Sequence, residues 1–224
     1  MKKIIALVLA IMTFATTFSV VAKDIDNTNW QEVHKINREQ VKPVSKELEL
    51  ISASVTILTD ALIEKTEDNL RNKIPDYSLD ALVSLDLTKP SGITAEELEK
   101  VTRYGLKGLG DEFIKAEEDY HINAVFLMSI AILESGWGRN MFRPNNMFGF
   151  YGHDFSSKAE CVDVVASKIA KNYLTDGGAF HYGNTVKDIN RKYATNPEWH
   201  IKIAKNMKML YSDMRENLLS EKSK

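Results

Sequence analysis

One carboxylate, Glu134, lies at the end of a long apolar stretch. Residues 125–133 are apolar except for Ser129, and Glu134 follows them directly. A helix that is apolar on all sides is normally buried. Gly136 and Gly138 are suited to end that helix, because glycine accepts a positive φ at little cost. The spacing therefore predicts a single glutamate at the last turn of a buried helix.

Such a position suits a proton donor. Apolar surroundings disfavour the charged form of a carboxylate, and the negative end of the helix dipole acts in the same direction. A glutamate that keeps its proton near neutral pH is suited to general acid catalysis. The alternative is a glutamate at a helix end that simply points into water, and helix position alone does not separate the two.

Two motifs around this glutamate resemble a known family. LESGWG covers residues 133–138, and NNMFGF covers residues 145–150. The pair is similar to the glucosaminidase family of peptidoglycan hydrolases, glycoside hydrolase family 73, which includes bacterial autolysins and phage-type endolysins. The resemblance extends from about residue 92 to about residue 211. It implies that Glu134 is the catalytic acid.

The resemblance also implies a sugar-binding groove beside Glu134. Trp137, in the first motif, is a candidate substrate-binding residue, and in the family the second motif lines the groove. Asn146 offers both a donor and an acceptor to an N-acetyl group, while Phe148 and Tyr151 offer aromatic faces to sugar rings. For Phe148 the alternative is core packing.

A second catalytic group is harder to assign. Family members often carry another acid on a small β lobe, and Asp154 is the one acid between Glu134 and Glu160. Glu160 has a local explanation, because Ser157 and Glu160 form a capping box. Asp154 is therefore the weak candidate for a second carboxylate, and its alternative is a turn residue.

A tyrosine is the other candidate. The run Tyr193-Ala194-Thr195 resembles a family motif whose tyrosine points into the cleft and assists catalysis. A hydroxyl group there would position water or stabilise an oxocarbenium-like state. The alternative for Tyr193 is a side chain that fills a helix junction.

The elements that hold these residues are predicted to be mainly helical. The resemblance implies a lysozyme-like helical domain with a small β-hairpin lobe, formed by residues 148–155, beside the cleft. An N-terminal helical segment precedes it. The predicted divisions are a signal peptide at 1–22, a helical arm or partner-binding segment at 23–90, the catalytic domain at 91–216 and a frayed tail at 217–224. Residues 77–88 are expected to be a connector with some strand character.

The first 22 residues predict export. Lys2 and Lys3 precede an apolar run, and Val20-Val21-Ala22 provides an acceptable cleavage site. An uncleaved membrane anchor is the alternative. Either interpretation places the catalytic part outside the cytoplasm, in the periplasm, in the cell wall or in the medium.

Composition excludes several other classes of function. The net charge of −2 is unlike that of a nucleic-acid binder. Cys161 is the single cysteine and is predicted to be a small buried residue. The five histidines show no metal-ligand spacing. The sequence therefore predicts neither a metal nor a cofactor.

The predicted activity is that of an endo-β-N-acetylglucosaminidase, which cleaves the β-1,4 bond after N-acetylglucosamine in peptidoglycan. The second step would use either Asp154 or the substrate's own 2-acetamido group. One rival is a lytic transglycosylase or muramidase that cleaves after N-acetylmuramic acid, and another is a glycan-binding protein on an inactive fold. The expected partners are glycan strands, together with a protein partner or a second copy bound through the N-terminal helices.

Overall fold

The computed structural model describes residues 38–220, without the side chains of residues 38–45, 47, 48 and 66–71. The predicted signal peptide lies outside the described residues. In chain order the helices are α1 (Arg38–Lys73), α2 (Leu79–Val83), α3 (Ala95–Glu99), α4 (Gly110–Tyr120), α5 (Ala124–Ser135), α6 (Lys158–Ile169), α7 (Val186–Tyr193) and α8 (Trp199–Ser220). A 3₁₀ turn (Tyr104–Leu106) and a π-helical turn (Ala170–Leu174) lie between them. The mainly helical prediction is confirmed.

The chain divides into two units, residues 1–63 and residues 64–224. The described part of the first unit belongs to one helix, α1, whose aliphatic side chains are largely exposed. None of the helices within residues 38–220 is both long enough and apolar enough to cross a membrane.

Helix α5 forms the centre of the second unit. Every residue from Ile122 to Ile132 is buried, as the uniformly apolar sequence predicts. Helices α4 and α8 pack against it. Its first turn is capped by Asn123, whose side-chain oxygen accepts a hydrogen bond from the Phe126 amide at 2.9 Å. The core therefore holds α5 from all sides and presents its C-terminal end.

Side-chain caps set the start of three other helices. Thr94 and Glu97 exchange side-chain and backbone hydrogen bonds at the start of α3. At the start of α6 the predicted box is only half formed: Ser157 accepts a hydrogen bond from the Glu160 amide, but the Glu160 carboxylate accepts from the amide and hydroxyl of Ser156. At the start of α7, Thr185 and Asp188 form a complete capping box, as Thr94 and Glu97 do.

Residues 74–90, which the sequence assigns to the N-terminal segment, contribute to the core of the second unit. Ile74, Leu82 and Leu87 are fully buried. The Leu87 amide donates to the Asn184 carbonyl, and the Leu87 carbonyl accepts from the Asn123 amide, each at 2.9 Å. The predicted strand character is wrong, because α2 lies within this segment.

The predicted β-hairpin lobe is also wrong, because residues 38–220 contain no strand. Residues 148–155 form turns and bends instead. Gly149 and Gly152 have φ of 62° and 80°, in the left-handed region that strands do not use. Side chains, rather than a partner strand, satisfy much of the backbone of this loop.

Candidate active site

Glu134 opens onto a cavity of about 700 Å³ in the second unit. The walls come from the end of α5, the loop at residues 148–151, α6 with its π-helical turn, and the junction between α7 and α8. The lining residues are Glu134, Phe148, Gly149, Phe150, Tyr151, Val165, Lys168, Ile169, Asn172, Tyr173, Phe180, Tyr193, Ala194, Thr195, Asn196 and Trp199. Aromatic rings with a few polar groups are typical of a ligand-binding cleft.

Glu134 occupies the last turn of α5, but its side chain is exposed. The apolar surroundings that the sequence predicts therefore enclose the helix and not its terminal carboxylate. Oε1 of Glu134 accepts a hydrogen bond of 3.3 Å from Nε1 of Trp199. The carboxylate is thus held from one side and open to the cavity on the other.

The rest of the LESGWG motif builds the turn that ends α5. The Ser135 hydroxyl donates to the Ala131 carbonyl at 2.6 Å and accepts from the Gly138 amide at 2.9 Å. Gly136 ends the helix with φ of 56°. Gly138 lies against Gly105 so closely that a Cβ on Gly105 would be 2.2 Å from the Gly138 carbonyl oxygen. These contacts fix the position from which Glu134 projects.

Trp137 lies in this turn rather than in the cavity lining. Its φ is 67°, its ring is half-buried, and its carbonyl accepts from the Gly105 amide at 3.0 Å. The guanidinium of Arg103 lies 5.2 Å from the ring centroid. These contacts hold Trp137 in the turn, outside the cavity lining. The sugar contact of Trp137 stays a prediction.

Tyr193 reaches the cavity from the end of α7 as part of a row of aromatic rings. Its ring centroid is 4.9 Å from that of Trp199 and 5.5 Å from that of Tyr173. Burial raises the pKa of the Tyr193 hydroxyl, and the negative charge of Glu134 acts in the same direction. Tyr193 therefore stays a neutral phenol, able to donate a hydrogen bond but unsuited to act as a base.

The loop after the second motif borders Glu134 from the other side. A Cβ on Gly149 would be 3.9 Å from Oε2 of Glu134. Phe148 is 4 % exposed and packs 6.5 Å from Phe113, yet it also lines the cavity. Tyr151 is 97 % exposed at the rim. Both predicted aromatic residues are therefore brought to the groove, one mainly as core and one mainly as surface.

Asn146 holds this loop and is itself buried. Its side-chain nitrogen donates to the carbonyls of Phe150 and His153, at 2.7 and 3.0 Å. Its side-chain oxygen accepts from the Phe150 amide at 2.8 Å. These three hydrogen bonds occupy the side-chain amide that the sequence predicts to contact the N-acetyl group. The Asn146 amide replaces the strand pairing that a hairpin would provide.

Asp154 lies outside the cavity lining. Its carboxylate is exposed and pairs with the Arg143 guanidinium at 3.1 Å. Among the lining residues, all within the described part of the chain, Glu134 is the only carboxylate. The cavity therefore brings together Glu134 and Tyr193 but not Asp154.

Sequence reasoning missed several lining residues. Trp199 follows the Tyr193-Ala194-Thr195 run that resembles the family, but nothing in its spacing indicates its bond to Glu134. Lys168 and Asn172 lie on adjacent turns of one face, but neither belongs to a motif. Their presence at the site depends on how α6 packs.

Cys161 lies outside the cavity lining. Burial raises the pKa of the Cys161 thiol to about 11, which suits the predicted inert residue. Within residues 38–220, no cluster of three or more histidine, cysteine or acidic side chains is arranged to hold a metal ion.

Solved structures of an autolysin resemble this chain. The crystal structure of S. aureus Autolysin E aligns over 65% of this chain and 77% of that chain, with a TM-score of 0.52 and 20% identity. A catalytic mutant of that protein, in complex with the disaccharide NAG-NAM, aligns over 59% of this chain and 72% of that chain, with a TM-score of 0.51 and 19% identity. At this identity the likeness concerns the fold, which is the predicted lysozyme-like one.

The sequence relatives are more similar over a shorter range. Proteins from two strains of Streptococcus pneumoniae, named as endo-beta-N-acetylglucosaminidases, are each 37% identical over 138 residues, or 54% of this chain. The aligned part of this chain spans about a fifth of the length of those relatives, 21% and 20%. Residues 110–212 match the family model Glucosaminidase, described as mannosyl-glycoprotein endo-beta-N-acetylglucosaminidase. The part of the chain that contains Glu134, Tyr193 and Trp199 is therefore similar to the glucosaminidase family.

Proposed function

We propose that this chain is a peptidoglycan hydrolase that cleaves the β-1,4 bond after N-acetylglucosamine. The observation that carries the proposal is the single carboxylate, Glu134, at the end of a buried helix and open to an aromatic cavity. In this scheme Glu134 gives its proton to the leaving glycosidic oxygen as the bond to C1 breaks. The family and the named relatives support this reaction class.

The second step is proposed to use the substrate's own 2-acetamido group. A two-carboxylate mechanism needs a second acid in the cleft, and Asp154 instead pairs with Arg143 outside the cavity. The acetamido oxygen would attack C1 and form a cyclic oxazolinium ion. Water then adds to C1 and gives its proton to Glu134, which restores the acid, and the configuration is retained.

Two aromatic residues support these steps. Tyr193 is a neutral phenol, so it would donate a hydrogen bond that orients the acetamido group or the attacking water. The Trp199 indole binds one oxygen of Glu134 and leaves the other free to face the sugar. Phe148 and Tyr151 would contact sugar rings.

The proposed site of action is the cell envelope. Residues 1–22 have the features of a secretory signal, and a hydrolase of wall glycan has its substrate outside the cytoplasm. One neighbouring structure, Autolysin E, was solved in complex with the muropeptide NAM-L-ALA-D-iGLU. We extend that substrate class to this chain as part of the proposal.

The test is a mass spectrum of the soluble products released from purified peptidoglycan and reduced with borohydride. Fragments with reduced N-acetylglucosamine at the end would support the proposal. Fragments that end in anhydro-muramic acid would instead identify a lytic transglycosylase, and reduced muramic acid would identify a muramidase. Binding to the wall without release of fragments would indicate the glycan-binding alternative.

A further inference from the structure

The middle of α1 presents an apolar surface to solvent. Leu50, Ile57 and Ile63 are 61%, 68% and 51% exposed, and Leu58 is 45% exposed. Between residues 50 and 63 the sequence contains one charged residue, Asp60. Exposed apolar surface on this scale usually marks a site of association.

This helix is poorly suited to exist alone in water. Residues 55–59 read Val-Thr-Ile-Leu-Thr, and four of the five are β-branched, which lowers helix propensity. Most of the stability of a protein helix comes from packing of its apolar face. The hydroxyls of Ser54, Thr56 and Thr59 donate to the carbonyls four residues earlier, so these polar groups do not depend on water.

Part of the apolar surface follows a heptad register. Directly after Pro43, apolar residues recur at alternating steps of four and three, which are the a and d positions of a coiled coil. They are Val44, Leu48, Ile51, Val55, Leu58 and Leu62. The register ends at Lys65 and Asn69, which occupy the next d and a positions.

We propose that α1 binds α1 of a second copy of this chain along this heptad seam. Complete burial of one Leu, Ile or Val removes roughly 60–120 Å² of apolar surface. Six side chains from each of two helices would remove on the order of 1,000 Å², which is about what a specific interface needs.

The residues beside the seam favour a second copy over a different partner helix. Coiled coils that select a different chain use charged residues at the flanking e and g positions. Here those positions are almost uncharged: Ser45, Ser52 and Thr59 on one side, and Glu47, Ser54 and Ala61 on the other. Their small side chains allow close approach of two identical helices without a field of like charges.

The test compares two substitutions in one turn of α1, in the chain from Lys23 onward, because the apolar run at residues 1–22 would itself associate. Leu58→Glu places a charge in the seam. Ile57→Glu is the matched control, because it removes an even more exposed aliphatic residue one position outside the seam. Mass in solution is measured by sedimentation equilibrium, and helix content by circular dichroism.

We expect the unchanged chain to have the mass of two or more copies. Leu58→Glu should weaken association roughly a hundredfold, because unpaired charges would be buried, and Ile57→Glu should leave it nearly unchanged. A single-copy mass for the unchanged chain overturns the proposal. Equal loss in both variants overturns the seam, and a complex with an unrelated protein overturns the choice of partner. Glycan cleavage is assayed separately in the same samples, so a failed hydrolase proposal leaves the mass result intact.

Discussion

Two glutamates lie at opposite ends of α5, and their surroundings differ. Glu117 projects from α4 to the N-terminal end of α5, where it is 7% exposed. It accepts hydrogen bonds from the amides of Ala124 and Ser91, each at 2.7 Å, and from the Ser91 hydroxyl at 3.1 Å. Glu134 at the C-terminal end is exposed and accepts one, from Trp199. A carboxylate with its acceptor sites occupied by backbone is suited to hold structure, whereas one with free acceptor sites facing a cavity is suited to move a proton.

The helix dipole sharpens this contrast. The first-turn amides of a helix lack intrahelical partners and favour a negative charge, while the last turn disfavours one. Glu117 therefore stabilises α5, and Glu134 is placed where its charge is least favoured. The following predictions test whether stability and catalysis divide between these two ends.

Glu134→Gln should have the largest effect, a loss of roughly a thousandfold in glycan cleavage, because it removes the proposed proton donor. The free energy of unfolding should be unchanged or slightly higher, since a charge at the negative end of α5 disappears. Rates are measured on purified peptidoglycan, and stability by urea unfolding. Glu118→Gln, at an exposed position of α4, is the control. Full activity in Glu134→Gln would exclude Glu134 as the acid.

Glu117→Gln should act in the opposite way. It should lower the free energy of unfolding by about 2 kcal/mol, because hydrogen bonds to a buried charged acceptor are replaced by weaker ones. The activity of the folded fraction should stay close to that of the unchanged chain. Urea unfolding and single-turnover rates at equal folded concentration measure the two effects. If activity falls while stability is kept, the division between the two ends is wrong.

Trp199→Phe should lower kcat about tenfold, since the ring remains but the donor to Glu134 is lost. Measurement of kcat together with urea unfolding distinguishes this effect from a general loss of packing, which would also lower the free energy of unfolding.

Tyr193→Phe should have a small effect on stability, visible in the pH dependence of the free energy of unfolding. Burial raises the pKa of Tyr193 in the folded chain, whereas an unfolded tyrosine ionises near pH 10. The contribution of the protonated Tyr193 to the free energy of unfolding is therefore fully present below pH 10. It is lost as the pH rises above 10, by about 1 kcal/mol between pH 10 and 11. Urea unfolding at pH 8 and 11 should show a smaller decrease in Tyr193→Phe than in the exposed-site control Tyr104→Phe. Equal decreases would mean that Tyr193 is ionised as easily as a surface tyrosine.

Local patterns in the sequence were sufficient for much of this structure. The buried helix that ends at Glu134 follows from an apolar run and two glycines, because both signals act within a few residues of the chain. The caps at Thr94 and Ser157 follow from short-range pairs of side chains and amides. Motif resemblance led to the family.

Contacts between distant segments decided the rest. Trp199 meets Glu134 across 65 positions of sequence, and that bond exists only because α8 packs beside α5. The loop after the second motif is irregular because the single amide of Asn146 satisfies backbone groups that a hairpin would pair with a strand. Residues 74–90 joined the core because Leu87 pairs with two distant backbone segments. The sequence by itself thus determined where the candidate proton donor sits on its helix, and only the tertiary structure determined which groups face it, since hydrogen-bond partners far apart in the chain are chosen by packing.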